Sequence, residues 1–70
     1  MTRVTVTVDQ QDNEALRTIV TRLKTAGMHV DQILESLGIV TGTVAAARCR
    51  SLRTLEGVIA VEAEHRNSNA

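Results

Sequence analysis

Few residues in this chain can do chemistry, and their spacing limits what that chemistry could be. Cys49 is the one cysteine among 70 residues, Lys24 is the one lysine, and His29 and His65 are the two imidazoles. A catalytic nucleophile needs a base that orients it in a site with little water. Cys49 has no such base near it in sequence and falls on the apolar stripe of a helical segment, so it reads as a buried structural thiol. The histidines stand at a helix-to-strand junction and just past the last strand, where a surface imidazole is the ordinary outcome. No HxxxH or CxxC spacing accompanies them, so no metal site is implied. Asp9 and Asp12 precede an apolar-periodic run, and helix capping accounts for them without acid–base work. The stretch Gly38-Ile-Val-Thr-Gly42 has glycines like those of a phosphate loop. It lacks the lysine and the following Ser/Thr and opens no helix, so it reads as strand punctuation. No catalytic residue, metal or cofactor is expected, and the chain reads as a binding domain rather than an enzyme.

Two acidic residues remain. Glu62 and Glu64 alternate with Val61 and Ala63, so the period of two places both carboxylates on the face opposite the apolar residues. A solvated surface is one reading. The other is a patch whose carboxylates meet backbone N–H groups at the helix N-termini of a partner, where negative charge is stabilised.

The elements that must carry these residues follow from periodicity. Val4, Val6 and Val8 alternate with Thr5 and Thr7, which predicts a half-buried strand over residues 3 to 8. Leu16, Ile19, Val20 and Leu23 fall at i, i+3, i+4 and i+7, so an amphipathic helix spans residues 13 to 25, with Gly27 as its left-handed stop. Residues 29 to 35 read as a strand, with a bulge or register ambiguity near Ile33 where alternation breaks. Residues 39 to 44 read as its hairpin partner, and Gly42 inside that strand marks a close approach by another backbone or side chain. Ala45, Cys49, Leu52 and Leu55 place a second helix over residues 46 to 55, capped by Gly57. Val58, Ile59 and Val61 begin a last strand that runs to residue 64.

This order is βαββαβ. Two right-handed crossovers arranged this way give an α+β, ferredoxin-like sandwich: a four-stranded antiparallel sheet with both helices on one face and the other face bare. Thr5, Thr7 and Thr41 should lie on that bare face. A single domain covers residues 1 to 65, and residues 66 to 70 form a polar C-terminal tail. At this length without aromatic residues or disulfides, burial and chain entropy nearly balance.

Composition limits the partners. Eight basic and eight acidic side chains cancel, and there is no Phe, Tyr or Trp. Without net positive charge or stacking platforms, nucleic acid is not an expected partner. No apolar run approaches a membrane span, the N-terminus does not read as a signal peptide, and a lone cysteine makes no internal disulfide. These features favour the cytosol and argue against membrane association.

Gly38-Ile-Val-Thr-Gly-Thr-Val44, a short helix, and Leu52-Arg-Thr-Leu-Glu-Gly-Val-Ile-Ala-Val-Glu62 together resemble the propeptide-type inhibitors of subtilisin-like serine proteases. The likeness covers the whole chain at the level of topology and is sharpest over residues 55 to 64. It implies a protein-binding module that inhibits such a protease or assists its folding. On that resemblance Glu62 and Glu64 would cap two helices of the protease, and Asn67, Ser68, Asn69 and Ala70 would lie in its active-site cleft. Asn67 stands where that family's subsite takes an apolar or aromatic side chain.

Glu35-Ser-Leu-Gly-Ile-Val-Thr-Gly42 is similar to a stretch in short bacterial proteins labelled ketohydroxyglutarate aldolase, a label that implies Schiff-base chemistry on a lysine. Lys24 falls at the exposed edge of the first helix, and 70 residues cannot close the eight-stranded barrel of such aldolases. A further alternative is a self-associating, ACT-like regulatory or small-ligand-binding domain. In that case free strand edges pair into a homodimer.

Overall fold

The computed structural model describes residues 1–9 and 13–64. Four strands make one antiparallel sheet: β1 (Thr2–Val8), β2 (His29–Leu34), β3 (Ile39–Val44) and β4 (Val58–Ala63), in the spatial order β2-β3-β1-β4. The helix α1 (Asn13–Thr25) connects β1 to β2, and α2 (Cys49–Arg53) connects β3 to β4. Short 3-10 turns lie at Glu35–Leu37 and Ala46–Arg48. This is the ferredoxin-like α+β arrangement that the order of apolar periods implies.

β1 sits at the centre and pairs on both sides, with Val6 opposite Val40 on β3 and Val61 on β4. Its valines Val4, Val6 and Val8 point to the helix side and are buried, together with Val40, Val44 and Val61. Leu16, Ile19, Val20 and Leu23 of α1 cover them, and Leu52 of α2 and Met28 complete the core. No polar or charged side chain is buried among the described residues. The core is therefore held by apolar burial alone, at about 25 cal/mol per Å² removed from water.

The end of α1 is fixed by a Schellman motif. Met28 N–H donates to the Leu23 carbonyl at 3.0 Å and Gly27 N–H donates to the Lys24 carbonyl at 3.0 Å. Gly27 carries the motif's positive φ of 104°, which a side chain would strain. Met28 and Leu23, the two residues the motif brings together, are both in the core.

Gly42 is a point of close approach within the sheet. A Cβ built on it would collide with the carbonyl oxygen of His29 on β2 and crowd the Met28 side chain. Backbone on a paired strand cannot swing aside as a flexible side chain can. The close approach expected from the glycine is present, and its other party is a strand backbone.

Several expectations are corrected. The bulge in β2 lies between Val30 and Gln32, not near Ile33, which pairs regularly with Val40. The extra residue is Asp31. The second helix is shorter than residues 46 to 55: a 3-10 turn precedes five α-helical residues. Thr54 turns its hydroxyl onto the Ser51 carbonyl at 2.8 Å, taking up an acceptor as the helix closes. Cys49 is half-buried against the core instead of enclosed in it. β1 and β4 also slip register between Thr7 and Val8, which leaves Ile59 64% exposed.

Replacing Gly42 by Ala should lower the unfolding free energy by about 1–3 kcal/mol, the usual cost of overpacking. A denaturant titration followed by circular dichroism measures it, and an unchanged midpoint would show that β2 yields at His29 without cost.

Candidate partner-docking face

The helix-free face of the sheet is built from the alternate residues of each strand. One row runs Gln32–Thr41–Thr5–Glu62 and the next Leu34–Ile39–Thr7–Ala60 across β2, β3, β1 and β4. Toward the other end, Arg3 pairs with Thr43, which pairs with His29, and Glu64 N–H donates to the Arg3 carbonyl at 2.8 Å. The face is thus graded. Ile39, Ala60 and Leu34 make one end apolar, and charges occupy the other.

The β2 bulge determines the charged end. The extra residue, Asp31, is placed so that its carboxylate meets the Arg3 guanidinium at 3.2 Å. Strands lie about 4.8 Å apart, so Arg3 reaches across the whole of β3 to make this contact. The same guanidinium stands 3.9 Å from a Glu64 carboxylate oxygen. One cation is therefore shared by two acids. All three side chains are more than half exposed, and pairs of that kind contribute about 0–1 kcal/mol.

Glu62 differs from Glu64 in this respect. It is exposed beside Thr5 and makes no ion pair or side-chain hydrogen bond among the described residues. Its carboxylate keeps its acceptor capacity for a partner, whereas Glu64 shares Arg3. Thr5, Thr7 and Thr41 are half-buried on the same face. Asn67, Ser68, Asn69 and Ala70 lie outside the described residues.

Two candidates lie at the margins of the domain. His29 is exposed at the start of β2, and Lys24 is exposed on α1, at the rim of an open groove that Leu16, Val20 and Ile33 also line. Among the described residues no three His, Cys, Asp or Glu side chains gather as metal ligands, and no helix is long and apolar enough to cross a membrane. The edges of the sheet carry their own devices. Arg53 donates to the Val61 carbonyl of edge strand β4 at 3.3 Å, and the bulge interrupts edge strand β2. Both features oppose the addition of another strand.

Sequence periodicity found Glu62, Glu64 and the threonines. It missed Arg3 and Asp31 as a pair. Alternation from Val4 would place Arg3 on this face, but the broken alternation along β2 leaves the side of Asp31 open, and no local signal locates a bulge to the residue.

The chain matches no protein-family model, no curated protein and no solved structure. What fold and face define together is a ferredoxin-like α+β domain with an open, graded sheet surface.

Removing the shared cation by Arg3→Gln should change stability by less than about 1 kcal/mol, because the pairs are exposed. A larger loss in a denaturation experiment would mean that the Asp31–Arg3–Glu64 row fixes the register of the sheet.

Proposed function

We propose that this domain is a protein-binding module of the kind exemplified by the propeptide-type inhibitors of subtilisin-like serine proteases, docking through the helix-free face of its sheet. The observation that carries the reading is Glu62. It is an exposed carboxylate in the middle row of an open face, without an ion pair among the described residues, and it stands next to an apolar end formed by Ile39, Ala60 and Leu34. An apolar contact that excludes water beside a carboxylate that accepts N–H bonds suits a helix N-terminus of a partner. Glu64 would serve as a second, weaker acceptor because it shares Arg3. In this reading the tail, Asn67 to Ala70, enters the protease cleft.

Edge-to-edge self-association has less support, since the Arg53 contact and the β2 bulge obstruct the two free edges. Schiff-base chemistry has less still, because Lys24 is exposed at an open rim.

Titrating the protein against a subtilisin-type protease on a chromogenic substrate tests the proposal. Inhibition should appear at micromolar or lower concentration, weaken roughly tenfold or more in Glu62→Gln, as expected for a lost charge-assisted hydrogen bond, and disappear when residues 66 to 70 are deleted. A domain that is folded by circular dichroism and leaves the protease fully active would refute the inhibitor reading.

A further inference from the structure

Each row of the helix-free face ends on β2 at one side and on β4 at the other. From the charged end to the apolar end, the β2 residues are His29, Gln32 and Leu34, and the β4 residues in the same rows are Glu64, Glu62 and Ala60. One edge of the face therefore carries N–H donors and a large apolar side chain. The other carries two carboxylates and a small apolar one. Gln32 and Glu62 are both exposed, and neither side chain makes a hydrogen bond or ion pair among the described residues. Between them the half-buried Thr41 and Thr5 keep the middle row low.

We infer that two copies of this chain pair face to face through this surface, about a two-fold axis that runs along the strands. That axis lays β2 of each copy over β4 of the other and keeps every row on itself. Gln32 then stands over the partner's Glu62, where its amide N–H donates to the carboxylate, and the symmetry makes this pair twice. His29 stands over the partner's Glu64 in the same sense, and Leu34 over the partner's Ala60, a large side chain against a small one. A two-fold across the strands would instead stack the apolar row on the charged one and set Gln32 over its own copy. Aligned sheets pack about 10 Å apart with their strands crossing at roughly 30°. That crossing displaces the outer strands by about one residue, a shift that two long polar side chains can span.

Size and charge set the strength of this pairing. The face measures about 19 by 20 Å, from four strands at roughly 4.8 Å and six residues at roughly 3.3 Å. Two such footprints bury on the order of 800 Å², below the roughly 1,200–2,000 Å² of stable complexes, so the dimer is a weak one that forms at high protein concentration. Arg3 against Asp31, Glu62 and Glu64 leaves each face acidic, which opposes the pairing. The two-fold sends the two Glu62 side chains to opposite edges, three strand spacings or about 14 Å apart in the plane, beyond the ~8 Å Debye length at physiological salt. Asp31 comes near the partner's Glu64, but each of these acids already holds an Arg3 guanidinium at a rim open to water. Repulsion is therefore the screened part of the interaction. The Gln32–Glu62 pairs and the apolar row are its short-range part.

Analytical ultracentrifugation of the full chain, from about 10 µM to about 1 mM, tests the inference. A monomer–dimer equilibrium with a Kd on the order of 100 µM is expected for an interface of transient size. It should tighten severalfold when salt rises from about 10 to about 150 mM, as the like charges are screened. Gln32→Glu places a carboxylate over each Glu62 and should weaken the dimer tenfold or more. Adding Glu62→Gln to that variant exchanges the two partners and should restore the parent Kd to within about threefold, which a purely local role of either residue would not do. Both positions are exposed, and circular dichroism verifies the folds. A protein that stays monomeric at the highest concentration would overturn the inference. So would a dimer that Gln32→Glu leaves unchanged, that the double variant fails to restore, or that salt weakens. The pairing needs no protease, so its failure would leave the inhibitor reading to its own assay.

Discussion

The alternation of valine and threonine along β1 organises everything else in this domain. β1 is hydrogen bonded on both sides, so its side chains have only two directions, toward the helices or away from them. Val4, Val6 and Val8 commit one side to the core, and Arg3, Thr5 and Thr7 commit the other to water or a partner. A slip of one residue would exchange the two sets completely. The apolar stripe of α1 and the valines of β3 then have a single surface on which to dry, and the bare face follows as a remainder.

Gly42 and Gly27 act on this scheme from opposite directions. Gly42 lets the β2 backbone approach β3, which holds the outer strand close enough to the core for Met28 to be buried. Gly27 reverses the chain after α1 so that β2 begins within reach of that position. Both work by the absence of a side chain, and both were visible as breaks in otherwise regular patterns.

The sequence was legible wherever a period persisted. The β1 alternation, the four-residue stripe of α1 and the β-branched run of β3 gave these elements nearly to the residue. It was poorly legible where the chain departs from a period by one residue. The extra residue at Asp31 and the slip between Thr7 and Val8 each change which face a side chain occupies, and each depends on tertiary pairing instead of local preference. The candidate face was read in part for the same reason: Glu62 and Glu64 follow from alternation, whereas the Arg3–Asp31 contact needs the bulge. The length of α2 was overestimated because the apolar spacing continues to Leu55 after Thr54 has already closed the helix.

The contact from Arg53 to the Val61 carbonyl also matters for solution behaviour. Val58-Ile59-Ala60-Val61 is an uncharged, β-prone segment at the edge of the sheet, the kind of sequence that templates ordered aggregation. The guanidinium that occupies this edge comes from a helix of only five residues, anchored by the single fully buried side chain of Leu52. Fraying of α2 would therefore remove the guard and bare the edge in one event. Exposure of this edge should follow the opening of the shortest helix and not the unfolding of the whole domain.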